Sequence, residues 1–577
     1  MILQALTSLY EALAQKGEIS KEGWSREKIS FALGIDENGD LLRVTPLFDT
    51  VDGPKGKTRE VPQKMTVPIK VGNTSPKFLW GNSGFILGTA NDKTPEAAKD
   101  CFKRNRDLHH EVLKGIEVPA AKAILSFFDR WEPEKTLENE LVTSCAGELL
   151  GKANMVFRFN GKFIHEIPQL AAAWQAHYGE TAKERGQCLI TGALDAIPNT
   201  HPLIKGVQGA QSSGAALVSF NASAFCSYNK EQNQNAPVGK YAAFAYTAAL
   251  NHLLADRKNV HRIGDAAVVC WAENADKQYE EFAADLFFGD GDGDQSDEQR
   301  LSALQASVEL LAKGLPCREL DLDPERKFYI LGISPNAARL AVRFFYCDSF
   351  GNIVKNIKAH YDRLEIVRPS YDKYPMLPLW KLLSATVNPS AKDKTPNSAM
   401  AGAVARAVFS GGRYPASLLE CTFLRIRAER EITRERAAII KAYYLRNPNE
   451  KCPKEVLTVS LNKDSKNVPY TLGRLFSVYE EIQQAANPGI NTTIKDKYFG
   501  SAATMPATVF PILSSLAQKH LRKLSDAQRI YLDKKVMTLK DILGEQYPAH
   551  MSLPEQGSFD LGYYHQTQDR YTKKEDK

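Results

Sequence analysis

The short motifs that could support catalysis lack the partners that such sites need. Ser25 and Lys28 have the serine–lysine spacing of penicillin-binding enzymes, but the companion motifs of those enzymes are missing. His109, His110 and Glu111 are adjacent, whereas a helical zinc site needs two histidines four residues apart, so we expect an ordinary helix surface there. The chain contains neither a phosphate-binding loop of the GxxxxGKS/T type nor a GxSxG nucleophile elbow. We therefore expect no enzymatic activity and no cofactor.

An acidic run, GDGDGDQSDE, has the alternating spacing with which a calcium loop begins. Asp290, Asp292 and Asp294 would be the first ligands of such a loop. The loop also needs glycine at its sixth position and glutamate at its twelfth, where this chain has Gln295 and Leu301. We expect a solvated acidic loop and no metal site.

A basic and polar stretch, Lys64–Lys77, combines positive charge with short hydrogen-bonding side chains on a backbone containing Gly and Pro. Lysine ammonium groups can neutralise phosphates, and hydroxyl and amide side chains can contact base edges in a groove. The alternative is a solvated surface loop without a ligand. The residues of this stretch that we assign to DNA binding are Lys64, Lys70, Asn73, Thr74, Ser75 and Lys77.

A glycine-rich block, Gly206–Gly214, carries neutral polar side chains on a backbone that glycine allows to turn tightly. Free backbone N–H groups in such a block can hold a phosphate. Equally, internal hydrogen bonds could pin the block as a loop against its own domain, and the sequence leaves both alternatives open. The candidate DNA-binding side chains here are Gln208, Gln211, Ser212 and Ser213.

A third basic segment lies within Ala416–Leu445, which is predicted to form one long helix. Arg427, Arg430 and Arg434 lie at helical spacings near one side and are candidates for binding the displaced DNA strand. Interleaved glutamates at i, i+4 spacing reduce the free positive charge, so the alternative is a salt-bridged, solvated face.

The composition of the 577-residue chain is that of a globular protein with two or more domains. Its net charge of +6, from 74 basic and 68 acidic residues, is too small to indicate nucleic-acid binding without local clustering. The 9 cysteines are scattered, which predicts reduced thiols in a cytoplasmic protein. The first residues predict an amphipathic helix and no signal peptide, and the absence of long apolar runs predicts no membrane span.

The predicted secondary structure that must position the candidate residues is mixed in the first part of the chain and helical in the last part. Short alternating runs and a hairpin around Asn160 and Gly161 predict strands among helices in the first part, and Asp52–Lys77 is predicted to be loop. After the Pro-containing stretch Arg368–Pro378 only long helical patterns remain. We predict an α+β domain over residues 1–372, followed by an all-α helical bundle over residues 373–577.

Several sequence blocks resemble the Csd-type large subunit of the type I-C CRISPR Cascade. Pro76–Asn82 (PKFLWGN) is similar to a family signature in which an aspartate stands at Gly81, and Gly206–Asn221 is similar to the most recognisable block of the family. Further similar blocks are Phe85–Gly88, Phe328–Ala338, Leu340–Phe345, Tyr470–Phe476, Tyr498–Ala503, Pro506–Pro511 and Gly562–Gln568. The blocks are ordered and extend over nearly the whole chain, so together they are more specific than any single motif.

The resemblance implies a non-catalytic subunit of an RNA-guided surveillance complex. Such a subunit recognises the short protospacer-adjacent motif (PAM), commonly of TTC type, in double-stranded DNA and helps to open the duplex for crRNA-guided R-loop formation. The implied partners are the subunit that binds the crRNA 5′ handle, the backbone filament subunits, the small subunits, the target DNA and a helicase–nuclease recruited after R-loop formation. Residues 1–372 would recognise the PAM and contact the 5′-handle end of the complex.

The resemblance also implies that the small subunit is translated from within the same gene. Residues 456–577 would be that product. Because the nearest upstream methionine, Met400, lies outside this segment, we expect translation to start at a valine or leucine codon near Val456–Leu461.

Two other functions remain open from the sequence. The first is a nuclease or crRNA-processing enzyme of the same operon, for which Tyr563, Tyr564 and His565 are the only mildly suggestive group. We expect these three side chains to pack the end of the chain against the bundle. The second is a scaffold that never contacts nucleic acid.

Overall fold

A computed structural model describes the chain except residues 53–57, 70–74, 152, 181–184, 289–297, 373, 545 and 572–577. The chain divides into two compact units. The amino-terminal unit comprises Leu3–Pro202 and Ser219–Ala249, and the carboxy-terminal unit comprises Leu203–Val218 and the chain from Leu250 onward. The two polar stretches that were predicted to bind DNA therefore belong to different units.

The strands of the amino-terminal unit form small sheets. They are β1 (Trp24–Ile29), β2 (Phe31–Ile35), β3 (Leu41–Pro46), β4 (Phe48–Asp52), β5 (Thr58–Pro68), β6 (Trp80–Asn82), β7 (Asn154–Phe159), β8 (Lys162–Phe163), β9 (Arg185–Gln187) and β10 (Leu194–Ala196). One sheet has the order β1-β5-β4 and is antiparallel. A second has the order β3-β2-β7-β6, with β8 paired to β7, and β9 pairs with β10. Only the β2–β7 pairing is parallel among those described in this unit.

Several helices of the amino-terminal unit pack against its second sheet. The helices of this unit are α1 (Ile2–Gln15), α2 (Ser83–Ile86), α3 (Pro95–Val112), α4 (Pro119–Arg130), α5 (Glu140–Thr143), α6 (Ala146–Leu149) and α7 (Pro168–Glu180). α8 (Lys240–Ala255) contributes residues to both units. The core contains the rings of Phe127 and Phe128 from α4 against Phe157 from β7, with the Phe127 and Phe157 centroids 5.1 Å apart. Thr94 caps α3 by accepting a hydrogen bond from the Ala97 N–H, and Pro95 occupies the first helical position.

Two predictions for this region have different outcomes. The predicted hairpin is confirmed: Asn160 and Gly161 both have positive φ, as a two-residue type I′ turn requires, between β7 and β8. The prediction of a loop over Asp52–Lys77 is wrong, because β5 occupies Thr58–Pro68. Pro62 obscured the pattern; it lies where the pairing of β5 passes from β4 to β1, so its missing N–H interrupts neither ladder.

The carboxy-terminal unit begins with an antiparallel sheet and continues as helices. The sheet has the order β11 (His261–Ile263), β12 (Ala266–Ala272), β13 (Lys327–Asn336) and β14 (Arg339–Ser349). The helices are α9 (Lys277–Ala283), α10 (Glu298–Ala312), α11 (Phe350–Leu364), α12 (Leu379–Ser384), α13 (Ser398–Phe409), α14 (Ala416–Glu429), α15 (Arg434–Arg446), α16 (Val468–Ala486), α17 (Ile494–Thr504), α18 (Pro506–Leu521), α19 (Asp526–Leu543) and α20 (Leu553–Tyr571). In the described part of the chain no strand follows β14, so the predicted order of an α+β region and then a helical region is confirmed.

The closest helix pair of this region is α16 against α20. Glycines allow the approach: a Cβ at Gly473 would lie 1.9 Å from the Phe559 carbonyl oxygen, and one at Gly562 would lie 2.0 Å from that of Tyr470. The surrounding core is continuous from Phe328 to Tyr564 and therefore crosses residue 372. The functional boundary at residue 372 remains a prediction, drawn from the change in secondary structure alone.

The predicted single helix over Ala416–Leu445 is wrong. Arg430, with φ of +56°, ends α14, and Thr433 starts α15 by accepting a hydrogen bond from the Arg436 N–H. Between Glu429 and Arg436 the only apolar residue is Ile432, so the apolar period is interrupted where the two helices meet.

Candidate nucleic-acid interface

The strand pair β1–β5 has one buried face and one exposed basic face. Residues directly opposite each other in an antiparallel pair share a face, and here Lys28 is opposite Lys64 while Arg26 is opposite Thr66. Arg26, Lys28 and Lys64 are exposed. The other face buries Ile29 and Val67 in an apolar cluster, which fixes the direction of the basic side chains. We call Arg26, Lys28 and Lys64 the basic sheet face.

The charges of the basic sheet face are uncompensated within the described residues, where none of the three makes an ion pair. Like charges directly opposite each other destabilise a strand pair, and Lys28 and Lys64 are such a pair. A phosphate between them would remove the repulsion. This pair of lysines is therefore electrostatically more favourable with an anion bound than without one.

The remaining predicted residues of the first stretch differ in position. Lys70, Asn73 and Thr74 lie outside the described residues. Ser75 is half-buried, and Lys77 is buried with its Nζ 4.5 Å from the centroid of the Trp80 ring. The ammonium group of Lys77 is thus held by a cation–π contact inside the unit.

The segments on both sides of residues 70–74 are anchored. The Trp80 Nε1–H donates to the Pro68 carbonyl at 2.7 Å, and the Lys77 N–H donates to Asn105 Oδ1 at 2.8 Å. Leu79, with φ of +62°, donates its N–H to His109 Nε2 at 2.9 Å. Burial lowers the pKa of His109 to about 4, so its ring is a neutral acceptor. His109 therefore lies in the core, and the prediction of an ordinary helix surface is wrong for this residue.

The glycine-rich block is a closed loop of the carboxy-terminal unit. Ile204 and Ala215 exchange backbone hydrogen bonds of 2.9 and 2.8 Å, and Ala216 continues this pairing onto β14. Gly214 has φ of +108°, and a Cβ there would lie 2.8 Å from the Leu203 side chain. Val207 is buried, which holds the loop from inside. Internal hydrogen bonds thus hold the backbone of this loop against its own unit, which is one of the two alternatives that the sequence left open.

The side chains of the same loop remain at the surface. Gln208, Gln211, Ser212 and Ser213 are all exposed. Gln208 Oε1 accepts a hydrogen bond of 2.7 Å from Arg262 Nη1, so the loop orients a guanidinium group that the sequence did not single out. The loop presents neutral donors and acceptors beside the Arg262 guanidinium.

The predicted arginines of the third segment are divided between surface and core. Arg427 is exposed and donates to Gln556 Oε1 at 2.9 Å, and Arg430 is exposed at the helix end. Arg434 is buried and forms a 2.9 Å ion pair with Asp372. Glu429 pairs with Arg425 at 3.6 Å, as the i, i+4 spacing predicted.

The patterns considered for catalysis do not assemble into sites. Ser25 and Lys28 are three residues apart on β1, so their side chains lie on opposite faces of the strand. Among the described residues no three His, Cys, Asp or Glu side chains are close enough to hold a metal ion. The acidic residues Asp290, Asp292 and Asp294 lie outside the described part of the chain.

The tyrosine–histidine group near the end of the chain packs into the bundle, as predicted. The Tyr470 hydroxyl is 2.9 Å from His565 Nδ1, and the Tyr563 hydroxyl donates to Glu480 Oε2 at 2.6 Å. Tyr564 donates to a backbone carbonyl at 2.7 Å. Burial lowers the pKa of His565 to about 3.

Sequence reasoning missed three residues of these surfaces. Arg26 and Lys28 alternate with half-buried residues in WSREKI, so a period-two pattern could have identified them. Arg262 is an isolated arginine in a short strand and gave no local signal.

The comparison with protein families gives a match over nearly the whole chain. A family described as CRISPR-associated protein (Cas_Csd1) matches residues 6–571. No curated protein matches the sequence. In the described residues every helix is too short or too polar to span a bilayer.

Proposed function

The chain belongs to the Cas_Csd1 family of CRISPR-associated proteins, and from this premise we propose that it is the non-catalytic large subunit of a type I-C Cascade. In this role it recognises the PAM in double-stranded DNA, helps to open the duplex for crRNA-guided R-loop formation and recruits a helicase–nuclease. It works in the cytoplasm beside the 5′-handle-binding subunit, the backbone filament and the small subunits.

The observation that carries the DNA-binding part of the proposal is the basic sheet face. Arg26, Lys28 and Lys64 are exposed and unpaired within the described residues, on a strand pair whose other face is buried. Phosphate neutralisation supplies most of the sequence-independent affinity of DNA-binding proteins. Neutral side chains that could read base edges, Gln208 and Gln211, lie on the glycine-rich loop.

The test is the salt dependence of DNA binding by the assembled complex. Replacing Arg26, Lys28 and Lys64 with glutamine should lower the slope of log K against log salt by about 2–3, since each phosphate contact contributes about 0.9. Affinity should fall about tenfold or more for targets with and without the PAM alike. Gel shifts at several salt concentrations measure both quantities.

The matched control removes the same number of charges elsewhere. Lys114, Lys392 and Lys394 are exposed and make no ion pair within the described residues. Their replacement with glutamine should leave the slope unchanged. Equal slopes for the two triple variants would contradict the proposal, and a complex without any salt-dependent binding would favour the scaffold alternative.

The enzymatic alternative has less support in the described residues. The group at Tyr563, Tyr564 and His565 is buried and its hydroxyls are bonded within the bundle. Incubating the purified chain with crRNA precursor and with DNA, with and without divalent metal, tests this alternative. Specific cleavage that a substitution in the chain abolishes would replace the non-catalytic proposal.

We also propose that residues 456–577 are produced separately as a small subunit. Helices α16, α17 and α20 share a cluster of aromatic side chains: Phe476, Phe499, Phe559 and Tyr563. Such a cluster supplies apolar contacts within the segment, as part of the core that continues to Phe328. Mass spectrometry of the purified complex tests the proposal, and finding only the full-length chain would refute it.

A further inference from the structure

A pocket of about 300 Å³ opens in the carboxy-terminal unit beside Arg262. It is lined by Val260–Ile263, by Phe288 and by the first residues of α12, Leu379 and Trp380. This volume is at the lower end of the range for ligand pockets, so the pocket suits one small planar group better than an extended ligand.

The wall of the pocket is aromatic. His261 and Phe288 stack with centroids 3.9 Å apart and planes 6° apart, and both are buried. Trp380 is 45% exposed. Its ring contacts Tyr374 edge-on at 6.1 Å, and this contact restricts its orientation. The pocket therefore offers an indole surface that is held in place and remains accessible.

The rim of the pocket is cationic. The Arg262 guanidinium donates to the neutral amide of Gln208 at 2.7 Å and makes no ion pair within the described residues. Asp265, the nearest acidic residue along the chain, is engaged by Arg343 at 2.9 Å. The charge of Arg262 is thus oriented by Gln208 of the glycine-rich loop and is uncompensated within the described residues. Its side chain lies on the opposite face of β11 from His261, at the edge of the pocket that both residues line.

We propose that this pocket binds one unpaired nucleobase of the opened DNA, with the base against Trp380 and its phosphate or polar edge toward Arg262. A base is planar and aromatic, carries hydrogen-bonding edges and is joined to an anionic backbone, so it matches the wall and the rim together. Stacking of bases on aromatic side chains and on arginine is the usual basis of single-strand recognition. The proposal rests on the DNA-binding function proposed above and adds base stacking to it as a second mode of contact.

An apolar side chain of a protein partner is the competing occupant. It would pack against the aromatic wall, but it would cover the exposed Arg262 guanidinium without supplying an anion, which costs free energy. The exposed amide of Gln208, which contacts Arg262, would also lose water without gaining a matched partner. A nucleobase with its phosphate would supply both the anion for Arg262 and the hydrogen-bonding groups.

Photo-crosslinking of the full-length chain tests the proposal. The probe is a short single-stranded oligothymidylate in which one base is iodouracil, and the adduct is located by mass spectrometry. We expect the adduct at Trp380. Trp380→Ala should weaken binding of this oligonucleotide about 5- to 150-fold, because stacking on one aromatic side chain contributes about 1–3 kcal/mol. Trp380→Phe should retain most of the affinity, which separates stacking from a loss of folding.

The control variant is Tyr531→Ala, which removes a side chain that is 60% exposed elsewhere in the same unit. It should change neither the adduct nor the affinity. Unchanged affinity of Trp380→Ala, or an adduct at another residue, would overturn the pocket assignment while the salt slope of duplex binding stays intact. If the unaltered chain binds no DNA at any salt concentration, the proposed function fails together with this inference.

Discussion

Two regions each contain a basic residue that was predicted to bind DNA, Lys64 and Arg434, and the structure gives these residues different environments. In the basic sheet face, Lys28 and Lys64 are exposed, unpaired within the described residues and directly opposite each other. In α14–α15, Arg434 is 7% exposed and forms an ion pair with Asp372. Regular spacing of basic residues is common to a ligand-binding face and to an internal ion-pair network. The positions of the carboxylates distinguish the two.

The buried region is a network with several bonds to one carboxylate. Asp372 accepts from Arg434 at 2.9 Å and pairs with Lys381 at 3.3 Å. Burial by itself raises the pKa of Asp372, but the hydrogen bonds from the Tyr374 N–H and from Arg434 outweigh it and hold the pKa below its ordinary value. Arg434 also donates to the backbone carbonyls of Tyr374 and Pro375. The guanidinium thus connects the start of α15 to the segment after Asp372.

The largest expected effect is therefore on folding. Arg434→Ala should lower the free energy of unfolding by about 3–5 kcal/mol, because it leaves a buried carboxylate without its main partner. Urea denaturation of the full-length chain measures the loss. Arg427→Ala, at an exposed position of the same segment, is the control and should cost less than about 1 kcal/mol. If both variants lost the same free energy of unfolding, Arg434 would contribute no more to stability than Arg427 does.

Acid provides an independent check on the same network. A carboxyl with a depressed folded-state pKa contributes stability above its unfolded-state pKa of about 3.9 and loses it as the pH falls through the lower folded-state value. In Asp372→Asn this part of the acid dependence should disappear. If the free energy of unfolding of Asp372→Asn fell in acid as much as that of the unaltered chain, the assignment to Asp372 would be contradicted.

A smaller effect is expected at the break between the two helices. Arg430 has a left-handed backbone, which glycine adopts at less cost than any other residue, so Arg430→Gly should stabilise the fold by about 0.5–1 kcal/mol. The same variant removes an exposed charge that we assign to the displaced strand, so single-strand affinity should fall slightly. Arg430→Ala is the matched control: it removes the same charge and keeps the backbone strain. Stabilisation by alanine equal to that by glycine would exclude the backbone explanation.

The sequence predicted the element types better than the surfaces. The α+β and helical regions and the hairpin at Asn160 followed from period and turn chemistry, which are local properties. The pairing of β5 with two strands, the burial of Arg434 and the contact of Gln208 with Arg262 depend on residues distant in the chain. A single sequence carries no local trace of such contacts, so β5 was predicted to be loop and the buried and exposed arginines were grouped together.

The smallest expected change in stability gives the sharpest distinction between the two regions. Lys28→Glu converts the like-charged pair with Lys64 into an opposite-charged pair, which should stabilise the strand pair by about 0.5 kcal/mol. The same substitution places a negative charge where we propose a phosphate, so DNA affinity should fall and the salt slope should decrease by about 1. Thermal unfolding at low salt and gel shifts at several salt concentrations measure the two effects. A structural lysine would lose stability on charge reversal, as Arg434 is expected to do, whereas a lysine positioned for a ligand should gain stability and lose affinity. Loss of stability in Lys28→Glu would therefore place the basic sheet face in the same class as the buried arginine network.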